Sequence, residues 1–79
     1  MFKMIIKYFS KMQEMTGKEE EIIDKELSLD ELIFFIEKKY KMKFDRNDFS
    51  VLINGRKIDD SGKINKNSVV SFIPIIEGG

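Results

Sequence analysis

Along residues 2–9, Phe-Lys-Met-Ile-Ile-Lys-Tyr-Phe, apolar and polar positions alternate imperfectly among β-branched and aromatic side chains, which predicts a first strand. Met4, Ile6 and Tyr8 then share one face, and Lys3 and Lys7 the other. Ser10 to Met15 predicts a short helix, closed by Gly17 where a positive φ is needed. Alternation is weaker from Glu19 to Leu27, the second predicted strand, and Glu19-Glu-Glu21 within it reads as a solvated face. Ser28-Leu-Asp-Glu31 is a capping box: the serine oxygen can accept from a first-turn N–H while Glu31 reaches back to the Ser28 N–H. Leu27 and Leu32 stand where a hydrophobic staple closes, so a helix is predicted from Leu29. Leu29, Leu32, Ile33, Ile36 and Tyr40 form its apolar stripe, which reads as core rather than as a cofactor face. Lys38, Lys39 and Lys41 match the negative end of the helix dipole.

Phe49-Ser-Val-Leu-Ile-Asn54 predicts the third strand, and Asn54-Gly55 is the strongest short-range signal of a tight hairpin. Arg56-Lys-Ile58 is the brief return. After the polar stretch Asp59 to Asn67, a last strand runs from Ser68 to about Ile76. Lys66-Asn67-Ser68 supplies the turn before it, asparagine being the best non-glycine residue for positive φ. Pro74 cannot donate to a ladder, so by that point the strand must be unpaired on one side or leaving the sheet. These elements predict an α+β domain in which one amphipathic helix covers one face of a mixed sheet of about five strands. If Val51, Ile53, Val70 and Phe72 face the helix, then Leu52 and Ile73 face outward, with Ile75 beyond. Leu52, Ile73 and Ile75 are therefore a candidate partner-binding patch, unless a loop covers them or the parity slips by one residue.

Composition narrows the chemistry. The 79 residues predict one domain, spanning 1–79, too small to enclose a large pocket. Cysteine and histidine are both absent, which removes disulfides, thiolate nucleophiles, the commonest general base and the usual zinc ligands, so no metal site is expected. Fourteen basic residues balance fourteen acidic ones, leaving no excess to neutralise a phosphate backbone, and nucleic acid is not expected as a partner. Met1-Phe-Lys-Met-Ile-Ile-Lys7 is too short and lysine-interrupted for a signal peptide or membrane span, so a cytoplasmic protein without membrane contact is expected.

The last residues are Gly78-Gly79, directly after the apolar final strand. Two glycines make a thin, permissive strip, expected to be flexible over about 77–79, that can thread a narrow channel and present an unhindered carboxylate. The plain alternative is an ordinary frayed end. Four features together decide the resemblance: Tyr8-Phe-Ser-Lys-Met-Gln-Glu-Met-Thr-Gly17, the helix capped at Ser28, the Leu52-Ile-Asn-Gly55 hairpin, and the closing Phe72-Ile-Pro-Ile-Ile-Glu-Gly-Gly79. In this order, over nearly the whole chain, they are similar to the ubiquitin-like sulfur carriers of the MoaD/ThiS family, of β-grasp fold, and the Ser10–Gly17 helix favours the molybdopterin branch. Departures are Asn67 where the family commonly has an Asp-Gly or Gly-Asp turn, and isoleucines after Pro74 where it often has a second proline.

The resemblance implies a carrier rather than an enzyme, with no resident cofactor and no catalytic side chain of its own. A ubiquitin-activating-like enzyme would use ATP to adenylate the Gly79 carboxylate, and a sulfur donor would convert it to a thiocarboxylate, with Gly78 needed for threading. The large molybdopterin synthase subunit would then receive the tail and pass its sulfur to a pterin. Two other functions stay open on the same residues: a ubiquitin-like modifier joined through Gly79 to lysines, and a carrier for the thiazole pathway. A plain β-grasp interaction module is a further alternative, and an enzyme in its own right is the weakest reading.

Overall fold

A computed structural model describes residues 3–57 and 63–75. Its elements are β1 (Met4–Tyr8), α1 (Lys11–Thr16), β2 (Glu20–Ile23), α2 (Leu29–Tyr40), β3 (Phe49–Ile53), β4 (Arg56–Lys57) and β5 (Ser68–Pro74). The strands form one sheet in the order β2-β1-β5-β3-β4. The central pair, β1 with β5, is parallel and the other pairs are antiparallel. The first and last strands therefore lie side by side in the middle of the sheet, and α2 lies across one face as the crossover layer.

Local chemistry accounts for most boundaries. Ser28 Oγ accepts from the Glu31 N–H at 3.2 Å while Glu31 Oε1 accepts from the Ser28 N–H at 2.9 Å, so both halves of the capping box are made. Gly17 closes α1 at φ 75°, its N–H donating to the Gln13 carbonyl at 2.7 Å. Asn54 (φ 52°) and Gly55 (φ 82°) both take positive φ, the requirement of a type I′ hairpin turn, and Asn67 does likewise at φ 63° before β5. Pro74 sits opposite Phe49 on β3, but β1 has already ended at Tyr8, opposite Phe72. Its missing donor thus faces the side where no strand remains, because the neighbouring Ile75 N–H is the one that donates to Asp48 on the β3 side, at 2.9 Å.

The core lies between α2 and the sheet. Leu29, Leu32, Ile33 and Ile36 of α2 meet Met4, Ile6 and Tyr8 of β1, Ile23 of β2, Phe49 and Val51 of β3, and Val70 and Phe72 of β5. Tyr40 and Ile53 are half-buried at its margin. Aromatic rings run across one end of this layer: Tyr40 edge-on to Tyr8 at 6.3 Å, Tyr8 stacked with Phe72 at 6.2 Å, and Phe44 against Phe72 at 5.2 Å and Phe49 at 5.0 Å.

Three sequence expectations change. The second strand is shorter than Glu19–Leu27, ending at Ile23 before the polar Asp24-Lys25-Glu26, and Leu27 turns back to pack against the core. The stretch between β4 and β5 is not wholly polar in role: Ile64 is buried beside a Ser28–Lys63 bridge. Glu21, expected on a solvated face, has a side chain only 7% exposed. Ile58 and Ile76, the predicted ends of two strands, lie outside the described residues, as do Gly78 and Gly79.

Candidate functional site

The face of the sheet turned away from α2 follows from strand parity. Buried Val51 on β3, and buried Val70 and Phe72 on β5, alternate with half-buried Leu52, Val69, Ser71 and Ile73. Register sets their neighbours. Ile22, Ile5 and Val69 stand side by side across β2, β1 and β5. Leu52 is opposite Ser71, so it lies diagonal to both Val69 and Ile73, within reach of branched side chains. An oblique apolar band therefore crosses the face from Ile22 through Ile5, Val69, Leu52 and Ile73 to Ile75, where the chain leaves the sheet. Ile22 is 58% exposed and Ile75 46%. Lys7, opposite Glu20, and Lys57, opposite Leu52, supply polar positions along it.

Leu52, Ile73 and Ile75 thus stand together on one side of the molecule, joined by Ile22, Ile5 and Val69, which the sequence reading did not single out. The pairing of Ile5 with both Ile22 and Val69 is the missing signal, since it depends on register rather than on any one strand's pattern. Beside Ile75 a shallow cleft is lined by Lys11, Met15, Lys43, Asp45, Asp48 and Phe49, so cationic and acidic side chains balance there. This arrangement can bury apolar area against a partner.

On the other face, Glu21 is a buried hub. Its Oε1 accepts from the Tyr8 hydroxyl at 2.5 Å and the Tyr40 hydroxyl at 2.6 Å, and its Oε2 from Lys39 Nζ at 2.7 Å. Burial alone would raise its pKa, but the hydrogen bonds from Lys39, Tyr40 and Tyr8 outweigh that and hold the carboxyl below the usual range. Burial, reinforced by the same carboxylate, pushes both phenols upward. The hub ties edge strand β2 to the last turn of α2 and is a structural device, since each acceptor is already occupied. Among the described residues, no cluster of three or more His, Cys, Asp or Glu side chains is placed to hold a metal ion. None of their helices is long and apolar enough to cross a membrane.

A mixed five-stranded sheet grasping one long helix, with the parallel pair at its centre, defines the ubiquitin-like β-grasp class. The model of the ThiS family matches residues 6–79, and the chain belongs to that family. Among solved structures it is similar to one assigned as molybdopterin converting factor, subunit 1, from Pyrococcus furiosus, at 25% identity and a TM-score of 0.78, covering 96% of this chain and 100% of that one. It also shares the fold of a chain in the complex of subunits 1 and 2 of molybdopterin-converting factor from Helicobacter pylori (22% identity, 98% of this chain and 99% of that one, TM-score 0.73). The small archaeal modifier protein 1 of Methanosarcina acetivorans is a third (19% identity, 100% and 98% covered, TM-score 0.73). No curated protein matched in sequence.

Proposed function

We propose that this protein is a sulfur carrier of the molybdopterin branch, activated at the Gly79 carboxylate. The observation that carries the reading is that the family match runs through residue 79, so Gly78-Gly79 lies inside the matched region rather than beyond it. The likeness to molybdopterin converting factor subunit 1 over 96% of the chain favours that branch over the thiazole one.

The chemistry follows from the poor reactivity of a free carboxylate. An adenylating enzyme lets a Gly79 oxygen attack the α-phosphorus of ATP, expelling pyrophosphate and leaving a mixed anhydride. A sulfide-equivalent donor then attacks the carbonyl carbon, AMP departs, and a thiocarboxylate remains. Gly78 and Gly79 present no Cβ to the walls of the partner's channel. The thiocarboxylated end enters a large synthase subunit, its sulfur bonds to a pterin precursor, and water cleaves the acyl–sulfur bond, so that the sulfur stays on the pterin and the chain returns as carboxylate. Leu52, Ile73 and Ile75, with Val69 and Ile5 behind them, form the docking face for these partners. The reaction belongs in the cytoplasm, where ATP is available, and its catalytic side chains belong to the partner enzymes.

Isotope exchange tests the first step. With a cognate activating enzyme, labelled pyrophosphate should pass into ATP only when this chain is present, and removing Gly79 should abolish the exchange, since even about 1 Å of misplacement at a reacting centre can lower a rate about a hundredfold. Exchange that persists without Gly79 would refute activation at that carboxylate. Isopeptide linkage to lysines of other proteins, in place of thiocarboxylate, would assign the protein to the modifiers instead.

A further inference from the structure

Helix α2 carries a second stripe that the core does not use. Glu31, Phe34 and Lys38 recur at i, i+3 and i+7 along it, opposite the buried Leu29, Leu32 and Ile36, and Leu27, just before the Ser28 cap, lies beside them. Phe34 is 58% exposed, and with Leu27 and Phe35 it floors an apolar groove along the helix. Lys38 Nζ lies 5.0 Å from the centre of the Phe34 ring, and Lys25 Nζ 5.0 Å from that of Phe35. Lys39, on the groove's flank, is already held by Glu21. The charges on the stripe itself are Glu31, whose Oε1 also accepts from the Ser28 N–H, on one side of the phenylalanines and Lys38 on the other.

We propose that this stripe is a self-association surface, occupied by α2 of a second copy running antiparallel. The argument is charge complementarity about a centre. Residues 31 and 38 are equally far from the midpoint between Phe34 and Phe35, so a twofold axis there sets Glu31 of each copy opposite Lys38 of the other. The phenylalanines meet at the axis, where water is most fully excluded. A parallel pairing would instead set Glu31 against Glu31 and Lys38 against Lys38. A single helix pair buries less than a standard interface, so the association is weak, with a Kd of about 10 μM to 1 mM. It leaves the opposite sheet face and the end of β5 free, and it does not rest on the proposed carrier function.

Sedimentation velocity across concentrations from about 10 μM to about 1 mM tests it. The wild-type mass should rise from 9.3 kDa towards twice that value. Phe34→Asp should remain a monomer throughout while keeping its circular dichroism. Lys38→Glu alone and Glu31→Lys alone each place like charges opposite one another, and each should weaken association about tenfold or more. Mixed in equal amounts, these two variants restore both pairs across the axis and should associate at least as tightly as wild type. That recovery also establishes that Glu31→Lys, which loses half of its capping box, is folded. A wild-type chain that stays at 9.3 kDa overturns the proposal. So does a dimer that survives Phe34→Asp, or a mixture no tighter than its components.

Discussion

Replacing Glu21 by alanine should be among the most damaging single changes in the sheet, although the residue carries a charge on an edge strand. The substitution strips two phenols and an ammonium of their acceptor. A hydrogen bond to a charged group contributes about 1.5–3 kcal/mol, and the Tyr8 hydroxyl has no route to water comparable to the one it loses. Lys39 is 40% exposed and regains solvent, so its share is small. The sum is about 3–5 kcal/mol, a large part of a small domain's stability. Glu21→Gln keeps the volume and one acceptor oxygen but turns an amide towards Lys39, and should cost about 1–2 kcal/mol. The sign with pH is fixed by the lowered carboxyl pKa. Its contribution is present above the ordinary carboxylate value of 4.5 and is lost as pH falls through the lower, folded-state value. Urea denaturation of wild type and Glu21→Gln, stepped from neutral pH to below that value, should therefore show the gap between them narrowing, other carboxylates cancelling in the difference. An alanine variant as stable as wild type, or a gap indifferent to pH, would refute the hub.

Three further outcomes are expected. Leu32→Ala should lower stability by about 2–5 kcal/mol, and an unchanged denaturation midpoint would place it outside the core. Ile73→Asp should leave the fold nearly intact yet weaken binding to the activating enzyme or the large subunit in a pull-down with purified partners; an unfolded variant would instead mean that Ile73 serves the core. Both tyrosines have pKa values raised above the ordinary 10.0, so native protein titrated to that pH should show far less than half of its phenolate absorbance. Half-ionisation there, with the fold intact, would contradict the burial of Tyr8.

The elements that were legible in sequence are those set by chemistry within a few residues. The Ser28 capping box, the Asn54-Gly55 turn and the Met4, Ile6, Tyr8 alternation each depend on neighbours in the chain, and the structure repeats them. What was not legible depends on register. Glu21 shares parity with Ile23 and stands opposite Ile6, which sends it to the helix side, but nothing within Glu19-Glu-Glu21 tells which glutamate turns inward. Lys39 and Tyr40 sit 18 and 19 positions away and meet it only because α2 crosses β2. Ile5 and Val69 escaped for the same reason, each being unremarkable until β1 and β5 pair in parallel. Ile64 is a core residue in a loop, outside any periodic pattern. Phe34 fell off the core stripe of α2, and its exposure became visible only once the opposite side of the helix was seen to pack.

Intact-mass spectrometry of the protein after incubation with its activating enzyme, ATP and a sulfur donor tests the central claim most directly. The account predicts a gain equal to one oxygen-to-sulfur exchange, located by fragmentation on Gly79, absent without ATP and absent when Gly79 is removed or one residue is added after it. An unchanged mass, under conditions in which the same enzyme charges another carrier of the family, would contradict it.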